Sequence, residues 1–255
     1  MMEFIHELKP KNELLFIFGL GNFMLAGLFV VLSQITSIEV SGTNAWFKPI
    51  KFALSIGTFS WTIAWFMSYL PQDKGLQIMS WLIVVMLGFE IIYIGFQAGR
   101  GQLSHYNLST PIYGGLYALM AIAATVVSFI TLVLAIRFFQ TPLPELPDYY
   151  VWSIRIGLLL FFIFSLEGFV MGANLSHTIG ASSGGNVIPF LNWSREYGDP
   201  RVAHFIGMHA LQVLPIASYY ILKDIRLTFG LAIIYTLLAA YVLIQALYGQ
   251  PFLKS

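Results

Sequence analysis

The chain is 255 residues long, 58% hydrophobic and only 10% charged, with a formal net charge of +1. Soluble domains carry about 25% charged residues, so the composition places the chain among multi-pass membrane proteins, and the near-neutral balance offers no electrostatic footprint for nucleic acid. With no cysteine, disulfides, thiolate metal ligands and a cysteine nucleophile are excluded.

In chain order, Met1 to Glu13 is polar with mixed charge. The apolar run behind it is longer than a signal-peptide core and no small-residue cleavage site follows, which predicts a retained first helix. A membrane span needs about 20 mostly apolar residues. Seven stretches qualify, near 14–36, 47–70, 76–98, 112–138, 150–174, 202–222 and 227–248. No soluble domain fits between them. Residues 1–255 therefore read as one all-α, polytopic transmembrane domain of seven helices whose surroundings are the lipid bilayer.

The basic residues set the expected orientation. Lys9, Lys11, Lys74, Arg137, Arg155, Lys223 and Arg226 fall on the N-terminal side, mostly in short turns and the tail. Lys48, Lys51, Arg100, Arg195, Arg201 and Lys254 fall on the other side, mostly among acids, histidines and amides. The first group has the setting of orientation signals, which puts the N-terminus in the cytoplasm and the C-terminus outside. Turns 71–75, 139–149 and 223–226 are short or Pro-rich. Loops 37–46, 99–111 and 175–201 are longer and carry His, Asn, Ser and Gly, as functional loops on a rigid scaffold do.

The third and fifth spans end alike. Glu90, Gly95, Gln97 and Leu103-Ser104-His105 match Glu167, Gly172, Asn174 and Leu175-Ser176-His177. Both spans follow a Leu-Pro turn, at Leu70-Pro71 and Leu146-Pro147, and Gln245, Gly249 and Gln250 form a fainter third copy. Internal repeats occur in transporter folds; for so short a match, chance is the competing origin.

Glu90 and Glu167 are the only acids well inside predicted spans. An ionisable group there costs about 2.5–3.5 kcal/mol on insertion scales and is a functional candidate by default. The plainer alternative is a structural carboxyl bonded to a neighbouring helix. Seven residues is nearly two turns, so Glu90 should share a face with Gln97, and Glu167 with Asn174. His209 lies about two turns inside the sixth span, at matching depth, with Gln212 on its face. Its plainer reading is a satisfied core histidine. His204 is five residues earlier, roughly 140° around the helix, which makes the pair poor co-ligands for one metal.

His105 and His177 follow the third and fifth spans, placed to fold over a pocket mouth. Each is preceded by a serine, Ser104 and Ser176, but neighbouring side chains are not expected to face each other, so no catalytic dyad is read there. Arg100, Asn107, Arg195, Asp199 and Arg201 are candidate supporting or gating residues. The plainer reading is solvated loop charge, with Asp199 near a helix start. Lys51 is placed to snorkel or to pair with a glutamate, and Trp46 and Trp193 to anchor at the membrane interface.

No lysine in the seventh span is available for a retinal Schiff base, and His-Glu-x-x-His, Gly-x-Ser-x-Gly and phosphate-binding glycine loops are missing. Seven spans with scattered Ser, Asp and His are similar to the membrane hydrolases that include ceramidases and adiponectin receptors, but their His-x-x-x-His in the last helix is absent. At Arg100-Gly101-x-x-Ser104-His105-Tyr106-Asn107, and again at Gly198-Asp199-x-Arg201-x-x-His204-Phe205-x-Gly207-x-His209-x-x-Gln212, the chain resembles a family of bacterial multi-pass membrane proteins to which no activity is attached. The resemblance implies a bacterial plasma membrane.

The sequence thus predicts Glu90, Glu167 and His209 in one polar pocket open to the extracytoplasmic side. The leading expectation is a metal- or haem-binding protein with oxidoreductase or hydrolase activity. Zn, Cu, Fe or haem would be held by His209 with His105, His177 or His204. The competing expectation is a transporter or proton-coupled carrier using Glu90 and Glu167; a structural or sensory role is the third. Substrate and protein partners are not legible. In the cysteine-free chain, a cysteine introduced at Ser183 should react with an impermeant thiol reagent from outside intact cells. Labelling only after lysis would reverse the orientation.

Overall fold

The computed structural model describes residues 2–180 and 185–253, the first five of them by backbone alone; Ser183 and Lys254 lie outside the described residues. The helices are α1 (Met2–Lys11), α2 (Glu13–Ile35), α3 (Phe47–Met67), α4 (Lys74–Gly99), α5 (Pro111–Gln140), α6 (Asp148–Ser165), α7 (Glu167–Ala173), α8 (Pro200–Ala217) and α9 (Ile225–Leu247). A two-residue antiparallel hairpin, β1 (Glu39–Val40) and β2 (Thr43–Asn44), occupies the loop before α3. Among the described residues, seven helical stretches are long and apolar enough to cross a membrane: α2, α3, α4, α5, α6 with α7, α8 with the turn that continues it, and α9. The chain is therefore described as a multi-pass membrane protein.

Local signals set the ends. Asn12, Asp73, Asp199 and Asp224 stand before α2, α4, α8 and α9, and each side chain accepts from a main-chain N–H of the first turn, the hydrogen bond that makes Asn and Asp good N-caps. At the end of α4, Gly101 takes φ 64°, with Gln102 N–H bonding Gln97 O and Gly101 N–H bonding Ala98 O. That is a Schellman ending.

Two spans are irregular. The fifth breaks at Leu166, where Leu166 N–H reaches back to Ile163 O and Phe169 N–H to Leu166 O, both over three residues. A tightened turn inside a helix commonly marks a hinge. The sixth contains Pro215, which lacks the donor a helix needs, and passes into a π turn over Ser218–Leu222. Ser218 Oγ donates to Tyr149 O at 2.9 Å and lies 2.7 Å from Thr228 Oγ1.

The chain packs as two compact units, Met1–Val127 and Ser128–Ser255, with the boundary inside α5. In the first, α2 and α3 meet at glycines: a Cβ on Gly57 would lie 3.1 Å from Gly19 O and 2.8 Å from the Phe23 ring. Asn12 Nδ2 donates to Ser80 Oγ at 2.9 Å, tying the start of α2 to α4. In the second, α6 and α8 cross where a Cβ on Gly157 would lie 3.0 Å from Ala210 O, and one on Gly207 would enter the Phe164 ring. Leu160, Phe164, Ala210, Leu214, Ala232 and Ala239 form the core of α6, α8 and α9. Small residues at crossings let backbones approach where no hydrophobic force distinguishes helix from lipid.

Gly157→Leu should therefore lower the thermal midpoint of the purified protein, since overpacking costs about 1–3 kcal/mol. Gly230→Leu, whose Cβ would meet nothing within 4 Å, should not. Equal midpoints would contradict the crossing.

Candidate functional site

Glu90 belongs to the first unit; Glu167 and His209 belong to the second.

In the first unit, Glu90 is 6% and Gln97 0% exposed, and they share the buried side of α4. Gln97 Nε2 donates to Leu103 O at 3.0 Å, and Asn107 Nδ2 reaches the same carbonyl at 3.2 Å. The two amides hold the loop that carries His105. The His105 ring lies among Phe52, Tyr106 and Tyr117 at centroid distances of 5.8, 6.1 and 6.2 Å. Tyr106 takes φ 58°, a left-handed conformation that is an outlier for a bulky residue. Ser104 Oγ stands 3.2 Å from His105 Nδ1, so these neighbours do face each other, against the expectation from their adjacency. Lys48 Nζ lies 5.8 Å from the Phe52 ring centroid and acts electrostatically on both Glu90 and His105. Arg100 is exposed, over the rings of Phe96 and Tyr113. Lys51 is half-buried in the first turns of α3. Trp46 is buried, with Nε1 donating to Thr36 Oγ1 at 2.7 Å; it locks the loop before α3 from inside.

In the second unit, Glu167 opens α7 just after the break at Leu166. It is 5% exposed, and neither carboxyl oxygen has a hydrogen-bond partner among the described residues. His209 therefore does not bond Glu167. Its Nδ1 lies 2.9 Å from Phe205 O of its own helix, and its ring stacks on Phe205 at 4.1 Å. His204 reaches across to α6, with Nδ1 2.8 Å from Phe164 O, beside the break. Five residues, roughly 140° around α8, separate two roles: His204 ties helices together and His209 stays on α8. Gln212 is half-buried one turn on, and His177 half-buried beyond α7.

Asn174 does not share the buried setting of Glu167. It is exposed, and its Nδ2 donates to Val170 O. The cause lies in the helix endings. Both α4 and α7 close with a Schellman pattern, but its left-handed residue is Gly101 in one and Leu175 in the other. Gly101 is eleven residues after Glu90; Leu175 is eight after Glu167. The two copies are out of step by nearly a turn, so Gln97 sits inside its helix and Asn174 caps its own.

Asp199 and Arg201 are not solvated loop charges. Asp199 is 1% exposed; it accepts from Ser194 N–H at 2.9 Å, Arg201 N–H at 3.2 Å and Arg201 Nε at 2.8 Å. Arg201 also donates to Asn192 O. This latch closes residues 192–201 onto the start of α8, and Gly198 seats against Ala246 O, where a Cβ would not fit. Arg195 Nε is buried without a partner among the described residues.

The metal expectation meets a different geometry. Among the described residues, no group of three or more His, Cys, Asp or Glu side chains is arranged to hold a metal ion. Within the second unit, His177, His204 and His209 are therefore not assembled as a ligand cage. Two polar groups escape the sequence reading, Tyr93 and Asn22, and Lys48 is read there only as one of a set of basic residues. Asn22 is 2% exposed within α2, and its Oδ1 is unpartnered among the described residues. An amide in mid-span is the signal that marks it. No known protein family matches the chain, and no curated protein or solved structure is significantly similar to it.

His105 lies in the loop beyond α4. Burial, reinforced by the Lys48 ammonium, holds its imidazole well below the ordinary value of 6.5. The unfolded chain then takes up a proton below that value while the folded chain does not. The stability His105 contributes is complete above it and is lost as pH falls, at most about 1.4 kcal/mol per pH unit. His105→Gln should flatten the acid side of the midpoint-against-pH curve. An unchanged slope would contradict this placement.

Proposed function

We propose that the chain is a proton-coupled carrier in which Glu90 and Glu167 exchange protons, one in each unit. It sits in a bacterial plasma membrane with its N-terminus in the cytoplasm. The observation that carries this reading is Glu167: a buried carboxyl with no hydrogen-bond partner among the described residues, placed where its helix restarts. Intramembrane acids are rare and serve as proton relays in pumps and carriers. Interrupted helices are where transporter folds place coupling groups. A carboxyl at a hinge links the two, because its charge changes the interactions available to the turn that carries it.

A second reading, a metal- or haem-binding oxidoreductase or hydrolase, has one observation in its favour. A carbonyl only accepts, so His204 Nδ1 and His209 Nδ1, bonded to Phe164 O and Phe205 O, carry the protons. Each Nε2 then presents its lone pair, as in metal-ligating histidines.

The test uses proteoliposomes loaded with a pH-sensitive dye and a panel of external solutes. Wild type should show proton uptake driven by at least one solute, and Glu90→Gln and Glu167→Gln should each slow it roughly tenfold or more. Normal rates in both variants would refute the reading. Metal content and a visible spectrum are measured on the same preparation. Stoichiometric metal or haem, lost in His209→Ala, would put the second reading first.

A further inference from the structure

The first unit contains a row of buried polar groups on one helix, two of whose oxygens have no hydrogen-bond partner among the described residues. Glu90, Tyr93 and Gln97 are spaced three and four residues apart on α4, which places them on one face, one above another. All three are buried, at 6%, 6% and 0% exposed. The Tyr93 hydroxyl and Gln97 Oε1 have no hydrogen-bond partner among the described residues, although each is fully enclosed. The Tyr93 hydroxyl can donate, Gln97 Oε1 can only accept, and the two residues stand one helical turn apart on the same face of α4. Buried polar groups are almost always paired, and an unpaired set asks for a bound water or ion. A water needs two to four polar partners, and one placed between these two groups would have them.

The row also has direction. Its upper end is Gln97, which holds the carbonyl of Leu103 in the loop, with Arg100 and Tyr113 near the Tyr93 hydroxyl. Its lower end is Glu90. Lys48 of α3 acts electrostatically on Glu90, and both Lys48 and the loop's His105 lie 5.8 Å from the Phe52 ring centroid. Met120, from the first half of α5, packs with Tyr93, and Tyr117 of the same helix stands against the His105 ring. The walls are otherwise apolar or aromatic: Phe52, Phe89 and Leu116 pack against Tyr93, Ile94 and Met120.

We propose that Tyr93 and Gln97 hold a water-bridged proton path along α4, joining the loop at 99–111 to the carboxyl of Glu90. A proton entering at the loop end is passed by bond exchange: the bridging water takes it from the loop side and releases another towards Glu90. No electrons move and no bond other than O–H is made or broken. Tyr93 positions the water and supplies a hydroxyl that can turn; Gln97 supplies the acceptor that orients it. The path rests on the reading of Glu90 as a proton-exchanging group, and it gives that group an entrance.

The experiment follows Glu90 itself, not transport. The full chain in lipid nanodiscs is given a rapid pH step, and the carboxyl infrared band absent from Glu90→Gln is timed. Tyr93→Phe keeps the ring and removes only the hydroxyl; it should slow the response of that band roughly tenfold, an added barrier of about 1.4 kcal/mol. Gln97→Leu should act in the same direction. Because it also loses the Leu103 bond, its thermal midpoint is measured alongside, and Tyr93→Phe carries the decision. Tyr241→Phe, at an exposed tyrosine of α9, should leave the rate unchanged. An unaltered rate in Tyr93→Phe, or a Glu90 band that never responds to pH, overturns the path. A slowed band beside absent solute-driven uptake in proteoliposomes would leave the path standing and remove the carrier reading.

Discussion

In hydrocarbon a polar group must find its partner within the protein, because an unpaired one costs several kcal/mol. Most of this chain is written to satisfy that demand. Asp73 and Asp224 cap the helices they precede. Arg155 Nε donates to Phe138 O at the end of α5, and Tyr235 donates to Ile206 O across to α8. Ser218 and Thr228 hold each other beside the π turn. His204 takes the carbonyl of Phe164 next to the break in the fifth span. Where these bonds are made, the residue is a structural one.

Among the described residues the exceptions are Asn22 Oδ1, Arg195 Nε and three groups that the functional reading uses. Glu167, the Tyr93 hydroxyl and Gln97 Oε1 are enclosed without partners among the described residues. Each lies beside an irregular element: Glu167 at a broken helix, Tyr93 and Gln97 on the last turns before the loop that carries His105. The glycine crossings in each unit bring backbones close, so the helices that frame these groups are held firmly. A polar group left unpaired in a firm frame is a place for something that comes and goes, and a proton or a water is the smallest such thing.

Much of the frame is legible in the sequence. The spans are long apolar runs closed by Asp, Asn, Gly or Pro, and such signals survive any tertiary context. Glu90 and Glu167 stand out because charge is scarce around them. What is not legible depends on contacts distant in sequence or on a shift of one turn. The match between the third and fifth spans reads Gln97 and Asn174 as equivalents, but their helices end three residues out of step, so one is buried and the other caps. Asp199 reads as a loop charge because nothing local says that Ser194 and Arg201 will close on it. Ser104 and His105 face each other only because the loop around them, with Tyr106 in a left-handed conformation, turns them together. Tyr93 reads as one more aromatic in an apolar run, and its significance comes from the enclosure of its hydroxyl.

The central claim is that Glu167 exchanges a proton while buried at the helix break. The most direct measurement is an infrared pH titration of the protein in nanodiscs, with Glu167→Gln as the reference. The account predicts a carboxyl band that appears and disappears with pH, is absent from the variant, and is accompanied by a change in amide bands from the turn at Leu166. A Glu167 band that stays constant across every pH at which the protein remains folded would contradict it.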